Sequence, residues 1–380
     1  MPTESSPVYR WLRAGDEIFP AMLAAIDAAE RSVCLEVYTF EDSLLARRFR
    51  DALVRARERR VRVRVLVDAV GSIRLSNHFW APLQQTGGEI RIFNPLALRH
   101  VAIRNHRKLI ACDERVAIVG GFNISPAYEG NGVNCGWCDV GIQIEGPLAR
   151  QLAASFDEMF ERADFQHKPF GQLRRLGTKK VVALADEQIL LSGPGREISP
   201  FKLSLRKDLR TAQDVRIVIA YFLPTWRLRR DLTRVVRRGG RVRLILAGKS
   251  DVPLSQLAAR SLYRRFLASG VEIYEYQPQI LHTKLVIVDG AVYTGSSNLD
   301  TRSLRINFEL MIRFTDADIV AGARDIFDEV LNNCRRITAD DWRRTATLWR
   351  RIKQRWAYFL LNRIDPYIAR YQWRVLPRHP

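Results

Sequence analysis

No stretch of this sequence approaches the roughly 18 to 20 consecutive apolar residues that a membrane-spanning helix needs, so contact with a membrane is expected from one side only. Cysteine is scarce: the five residues Cys34, Cys112, Cys135, Cys138 and Cys334 are odd in number and irregularly placed, which argues against a disulfide framework and for a reduced compartment. Cys135-Gly-Trp-Cys138 is a lone CxxC without a second pair or a histidine at ligand spacing, so zinc or redox chemistry is not expected there. Glycine (22) and proline (16) are not enriched, which excludes a fibrous or largely disordered chain. No GxxxxGK[ST] occurs, which removes a Walker-type nucleotide loop. Met1-Pro-Thr-Glu-Ser-Ser has neither a basic n-region nor an apolar h-region, so no cleaved signal peptide is expected. Acidic residues are outnumbered, 41 against 61 lysines and arginines, for a formal charge of +20. That excess favours anionic partners, whether nucleic acid, anionic lipid or a phosphorylated substrate, without choosing among them.

What is present begins with ample apolar material, 47% of 380 residues, enough for one large or two ordinary domains. The chain then repeats itself. Ile18 to Ile26 reads as a helix, Ser32-Val-Cys-Leu-Glu-Val-Tyr38 as a strand, Leu44 to Glu58 as a basic amphipathic helix, and Val61-Arg-Val-Arg-Val-Leu-Val67 as a strand entering a core. The second half keeps the order: a helix beginning at Ile198, a strand from Val215 to Ala220, a helix from Trp226 to Arg237, and a strand from Arg241 to Leu246. Glu89-Ile-Arg-Ile-Phe-Asn-Pro95 corresponds to Glu272-Ile-Tyr-Glu-Tyr-Gln-Pro278, after which the first half carries a longer basic loop, Leu96 to Asn105. Alternating strands and helices predict an α/β fold with mixed sheets. The duplication predicts two similar lobes related by a pseudo-two-fold axis. The expected division is a first lobe over 1–165, a linker over 166–180, a second lobe over 181–337 and a basic, aromatic, amphipathic helical tail over 338–380.

The chemistry sits in a repeated pattern. The first half has His106-x-Lys108-x4-Asp113 and then Gly120-Gly121-Phe-Asn123. The second has His282-x-Lys284-x4-Asp289 and then Gly295-Ser296-Ser297-Asn298. Residues two apart on a strand share a face, so each His and Lys are expected to point together from a strand-like segment that continues into the core. A single such histidine would more often be a satisfied core residue; two copies at equivalent places in a duplication point to function. Paired imidazoles suit a phosphodiester. One, neutral, attacks phosphorus to form a phosphohistidine; the other, protonated, supplies the leaving alkoxide and later deprotonates the incoming hydroxyl. Lys108, Lys284, Asn123 and Asn298 can stabilise the equatorial oxygens without a metal. Each imidazole needs a neighbour to set its tautomer, and Asp139 and Glu309 are the candidates. Asp113 and Asp289, although part of the motif, are expected to organise the strand-turn.

On these residues the sequence resembles the phospholipase D superfamily, with its paired HxKxxxxD motifs, and more closely the bacterial cardiolipin synthases. Gly295-Ser-Ser-Asn-Leu-Asp-Thr-Arg-Ser-Leu-Arg-Ile-Asn-Phe-Glu309 is similar to that family's GSxNxDxRS…NxE run. Gly120-Gly-Phe-Asn-Ile-Ser125 is similar to its GGxNI turn, and Glu145-Gly-Pro147 to its EGP element. The resemblance covers about residue 8 to residue 335. It implies that one histidine is the nucleophile, with His106 favoured, that the carboxylates at Asp139 and Glu309 orient the imidazoles, and that no cofactor is used. It also implies transfer of a phosphatidyl group from one phosphatidylglycerol to another, giving cardiolipin and glycerol, with phosphatidylethanolamine as a second possible donor. Many members carry N-terminal transmembrane helices, whereas this chain resembles a short form, peripheral at the cytoplasmic face of the bacterial inner membrane.

Three alternatives stay open on sequence. A hydrolase or a head-group exchanger, such as a phosphatidylserine-forming enzyme, differs only in its acceptor, which water exclusion and shape decide. A nuclease is supported by the charge but disfavoured by the lipid-type motifs, so nucleic acid is not the expected partner. A non-catalytic scaffold is disfavoured by two intact motifs. No obligate protein partner is implied. In the tail, Trp342, Trp349 and Trp356 recur every seven residues beside Ile352, Phe359 and Leu360, with Arg343, Arg344, Arg350, Arg351, Lys353 and Arg355 around them. This reads equally as an interfacial helix on anionic lipid or as a helix packing its tryptophans onto the lobes.

Overall fold

Strands with a hydrophobic face on both sides can only be central in a sheet that is covered twice, and both halves of the chain supply such strands. In the computed structural model, residues 7–94, 103–163, 179–195, 197–344 and 347–364 are described. The first half contributes β1 (Val8–Arg13), α1 (Ala14–Ala28), β2 (Ser32–Val37), α2 (Leu44–Glu58), β3 (Arg62–Asp68), α3 (Ala81–Gln85) and β4 (Glu89–Phe93). It is completed by β5 (Leu109–Cys112), β6 (Val116–Gly120), β7 (Val140–Glu145) and α4 (Pro147–Arg162). The second half begins with β8 (Lys180–Ala183), β9 (Glu187–Ser192), α5 (Pro200–Asp208), β10 (Asp214–Ile219), α6 (Trp226–Arg237) and β11 (Arg241–Ala247). There follow α7 (Pro253–Arg260), α8 (Tyr263–Ala268), β12 (Glu272–Tyr276), β13 (Lys284–Val288), β14 (Ala291–Gly295), β15 (Glu309–Phe314), α9 (Ala317–Leu331) and β16 (Cys334–Ile337). The tail supplies α10 (Ala339–Arg344) and α11 (Leu348–Phe359).

The first sheet runs β1-β7-β6-β5-β2-β3-β4, and the second runs β16-β12-β11-β10-β13-β14-β15-β9-β8. Read in matching direction, β9-β15-β14-β13-β10-β11-β12 reproduces the first sheet strand for strand. In both, the run from β2 to β4 and from β10 to β12 is parallel while the remaining pairs are antiparallel. The mixed sheets and the duplication agree with the sequence-based expectation; the helices Leu44–Glu58 and Trp226–Arg237 have the expected bounds, and Ser199 caps α5, its hydroxyl accepting from Lys202 N–H.

Alternation within the strands sends residues to two cores. Val33, Leu35 and Val37 of β2 pack with Phe19 and Phe49 under α1 and α2, and the second sheet has an equivalent outer cluster under α5, α6 and α8. The opposite faces of both sheets share one buried cluster that includes Phe156 of α4 and Phe327 of α9. The sheets are thus joined through a common interior rather than by a hinge. The expected linker over 166–180 lies almost wholly outside the described residues, and the basic loop after Leu96 is described only from Ile103. Among the described residues no helix is long and apolar enough to cross a membrane.

Candidate active site

The two histidines stand at the point where each core strand begins. His106 and Lys108 precede β5, and His282 precedes β13, which starts at Lys284. They were expected on the strands themselves. The ladder stops short of them because the lead-in segments turn to the other lobe: Asn105 bridges Phe308 and Leu281 bridges Cys138. His106 N–H donates to the Phe308 carbonyl at 2.9 Å, and His282 N–H to the Cys138 carbonyl at 2.8 Å. The same two pairings, with the halves exchanged, form the pseudo-two-fold of the site.

That crossing decides the partners of the imidazoles. His106 Nδ1 lies 3.1 Å from Glu309 Oε2, and His282 Nδ1 lies 2.8 Å from Asp139 Oδ2. Each histidine is therefore held by a carboxylate of the opposite half, at the first residue of β15 or the residue before β7. The carboxylates are equivalent in the repeat but supported differently. Ser296 hydroxyl donates to Glu309 at 2.5 Å. At the corresponding position the first half has Gly121, where a Cβ would stand 2.6 Å from Asp139 Oδ1. The glycine makes room for the carboxylate, which Val140 N–H anchors at 2.8 Å. A Gly-Gly in one repeat and Gly-Ser in the other are thus two ways of seating one group.

Each lysine folds back on its own histidine. Lys108 Nζ donates to the His106 carbonyl at 2.7 Å, and Lys284 Nζ donates to the His282 carbonyl. Lys284 Nζ also lies 3.0 Å from His282 Nε2 and 2.8 Å from Nδ1. Since Nδ1 donates to Asp139, only Nε2 can accept from the ammonium. Burial, Lys108 and Lys284 hold His106 well below the ordinary imidazole range. Burial and Lys284 bring His282 down to about 4, against the opposing pull of Asp139. Burial lowers Lys108 to about 7 and Lys284 to about 8, and raises Glu309 to about 7 despite Lys108. Burial first, and the lysines beside them second, thus favour the neutral form of both imidazoles.

Both histidines line one cavity of about 670 Å³ between the lobes. Asn123 and Asn298 line it as well. Asn123 accepts from Thr39 N–H at 3.1 Å and donates to Tyr128 Oη at 2.8 Å. Asn298 and Asn307 each carry a buried side-chain oxygen without a partner among the described residues, an arrangement that leaves hydrogen-bonding capacity for a ligand. Asp113 and Asp289 are elsewhere. Asp113 accepts from the backbone N–H groups of Glu30, Arg31 and Ser32 at 2.7 to 2.9 Å, and Asp289 from those of Gln213 and Asp214. Both adopt positive φ, 56° and 47°, at the turn after the core strand. The intervening core strand holds each of them away from its histidine, at the turn expected of them from the sequence, rather than among the reacting groups.

Several site residues carried no signal in the sequence reading. Tyr38 stacks beside His106 with ring centroids 5.0 Å apart and accepts from Arg104 at 2.9 Å. Tyr128 lies edge-on to His282, its hydroxyl 3.4 Å from Nε2. Tyr221 donates to Asp251 at the other wall. The duplication does not flag the tyrosines flanking the core strands: by the strand registers, the repeat's counterpart of Tyr38 is Ala220, and that of Tyr221 is Thr39. Among the described residues no group of three or more His, Cys, Asp or Glu side chains is arranged to hold a metal.

The paired histidine motifs, built symmetrically across two matching lobes, can be compared with known proteins. The family described as "Cardiolipin synthase, PLD-like domain" matches residues 22–162 and 205–331. The chain belongs to that family. Within it, the chain is 29% identical over 334 residues to the probable cardiolipin synthase YwiE of Bacillus subtilis, covering 86% of this chain and 66% of that protein. It is 30% identical over 350 residues to the major cardiolipin synthase ClsA of the same organism, covering 90% and 72%. Cardiolipin synthase B of Salmonella typhimurium is 29% identical over 334 residues, covering 86% and 81%. The chain thus spans about two thirds to four fifths of the length of these family members. In fold, it superposes on the crystal structure of phosphatidylserine synthase of Haemophilus influenzae with a TM-score of 0.75, 15% identity and coverage of 95% and 94%.

Proposed function

We propose that the chain is a transphosphatidylase of the cardiolipin synthase type, transferring a phosphatidyl group between two phosphatidylglycerol molecules through a covalent phosphohistidine. One observation carries this: two imidazoles, that of His282 buried and that of His106 partly exposed, are each tied at Nδ1 to a carboxylate of the opposite lobe and share the wall of one cavity. Nδ1 donation leaves the Nε2 lone pair of His106 available, as a nucleophile requires; that of His282 accepts from Lys284 and exchanges this hydrogen bond for one with the substrate oxygen when it acts as acid or base.

His106, the more accessible of the two, is the nucleophile: its Nε2 attacks phosphorus and the bond to the departing glycerol oxygen breaks. His282 gives that oxygen its proton. In the second half, a hydroxyl of another phosphatidylglycerol yields its proton to His282 and attacks phosphorus, and the P–N bond breaks. The proton that His282 needs is disfavoured by burial and by the neighbouring Lys284 and Lys108. A phosphodiester brings the negative charge that offsets them, so substrate and proton load together. Lys108 and Lys284 then stabilise the charge that grows on the equatorial oxygens. Asp251 and Asp300 on the cavity wall can accept hydrogen bonds from the glycerol head group. Phosphatidylethanolamine, whose ammonium would meet the same carboxylates, is the second candidate donor.

The substrate places the protein at a lipid surface. The net charge of +20 fits an anionic one, and the unpaired cysteines fit a reducing compartment. We therefore assign it to the cytoplasmic face of the bacterial inner membrane, as a peripheral protein. The test is product analysis by mass spectrometry on phosphatidylglycerol vesicles in EDTA, with and without phosphatidylethanolamine. Cardiolipin with matching glycerol release, lost in both His106→Ala and His282→Ala, is the expected result. Phosphatidic acid as the main product would make water the acceptor and replace the transferase reading with hydrolysis.

A further inference from the structure

The tail was ambiguous in sequence because its tryptophans could cover the lobes or face outward; the structure divides them. Trp342 is buried, stacked on Tyr263 with ring centroids 4.8 Å apart. Trp349 and Trp356 are 72% and 63% exposed. Helix α11 buries Gln354 and Ala357 instead, packing beside α7 with Leu223 and Ala258.

Helical spacing orders the remaining faces. At about 100° per residue, Trp349, Ile352, Trp356 and Phe359 form one outward stripe, and all four are exposed. The same geometry puts Arg351 and Arg355 along one border of that stripe and Lys353 along the other, while Arg350 falls on the packed side, over the Trp342 ring at 4.8 Å. A soluble helix normally turns its charged face outward and its aromatic face inward; here the aromatic stripe faces out, with Arg351 and Arg355 on one side and Lys353 on the other. Arg351 and Arg355 also line a cleft of about 560 Å³ with Arg264, Arg343 and Trp342. Buried Gln354 lines the same cleft, and its Nε2 has no partner among the described residues. Arg264, Arg351 and Arg355 make no ion pair among the described residues, whereas Arg343 pairs with Asp340. An unpaired cationic border of this kind is complementary to phosphate groups.

The end of the helix reaches the catalytic cavity. Leu361, two residues beyond the helix, lines that cavity together with Val252 at the start of α7. Thr301 on the cavity wall donates to Asn362 at 3.0 Å. Val252 and Leu254 are themselves 40% and 37% exposed. The C-terminal end of α11 thus stands at the cavity that a lipid must enter.

We propose that α11 is a docking helix for an anionic phospholipid bilayer: Trp349, Ile352, Trp356 and Phe359 sit in the interfacial layer, the flanking arginines bind lipid phosphates, and the cavity mouth is set against the membrane. The proposal rests on the lipid substrate argued above, and it adds where and how the protein meets that lipid. Interfacial helices hold by buried apolar area together with attraction to anionic head groups, and α11 offers both on one side.

The experiment is flotation of the full chain with vesicles of phosphatidylcholine and phosphatidylglycerol in equal parts, and with phosphatidylcholine alone. The wild-type chain is expected to float with the anionic vesicles, less so as salt is raised. Trp349→Ser with Trp356→Ser should lower the partition coefficient on the order of 100-fold, and Arg351→Gln with Arg355→Gln by about 30-fold. All four side chains project from the exposed or cleft-facing side, so melting temperatures should hold. Should a variant melt early, quenching of wild-type tryptophan fluorescence by brominated lipid gives the same answer, and absence of quenching overturns the proposal. Turnover separates docking from chemistry. The variants should keep wild-type rates on short-chain phosphatidylglycerol dissolved as monomers and lose rate only on vesicles. Equal loss on both substrates, unchanged flotation, or an aromatic stripe consumed by a lipid-independent dimer in sedimentation would each overturn docking. If the wild-type chain floats through α11 but turns over neither form of phosphatidylglycerol, the docking surface stands and the proposed reaction falls.

Discussion

Asp139→Asn is the sharpest test of the crossed site. Asp139 Oδ1 accepts from Val140 N–H at 2.8 Å and Oδ2 faces His282 Nδ1 at 2.8 Å. In the asparagine variant the backbone N–H keeps the carboxamide oxygen, so the amide NH2 occupies the place of Oδ2. It can only donate, which forces Nδ1 to accept and moves the imidazole proton to Nε2. The lone pair that must take a proton from the incoming hydroxyl is then gone. The imidazolium formed in the reaction also loses its buried counter-charge. An inverted tautomer of this kind, as in the equivalent serine protease substitution, lowers turnover on the order of 10³- to 10⁴-fold. That corresponds to about 4 to 5.5 kcal/mol of transition-state stabilisation.

Two measurements check this. Rates of cardiolipin and glycerol formation give the loss in kcat, and nitrogen-15 NMR of the imidazoles gives the tautomers. The expected result is a His282 proton shifted from Nδ1 to Nε2 while His106, held by Glu309, keeps its tautomer. A variant within tenfold of wild-type kcat, or one in which His106 changes and His282 does not, would refute the crossed assignment.

The lysines set the pH response. Lys108 and Lys284 ionise at about 7 and about 8 and carry charge only below those values, so kcat/KM should fall as pH rises through them. Lys284→Arg should carry the upper loss to higher pH; a profile flat from about pH 6 to about 9 would count against phosphate binding by these ammoniums. Asp113→Ala removes the acceptor of three backbone N–H groups, at about 0.5 to 1.5 kcal/mol each, and puts alanine at a φ of 56° that it resists. Denaturant melts should show a loss of about 2 to 3 kcal/mol, with kcat per folded molecule essentially kept. Lost activity at unchanged stability would return this carboxylate to the chemistry.

The duplication, the mixed sheets and the chemistry-bearing histidines were legible because each is written in local pattern. Period-2 alternation identifies β3 and β11, and period-3.6 amphipathicity identifies α2 and α6. Two copies of one motif declare themselves without any alignment. The candidate Asn123, Asn298, Asp139 and Glu309 were reachable by the same logic, since equivalent places in a repeat carry equivalent groups. Tyr38, Tyr128, Tyr221 and Arg104 were not, because they have no counterpart of the same type in the other half. Their place beside the imidazoles depends on contacts between segments far apart in the chain.

The sequence by itself thus determined the two-lobed α/β architecture and the residue types of the site, because secondary-structure periods and repeated motifs need only neighbouring residues. The tertiary structure decided what distance along the chain cannot encode. It paired His106 with Glu309 and His282 with Asp139 across the lobes, and sent Trp342 inward while leaving Trp349 and Trp356 outside. In each case the deciding contact joins residues brought together only when two sheets close over one core and the tail packs against the second.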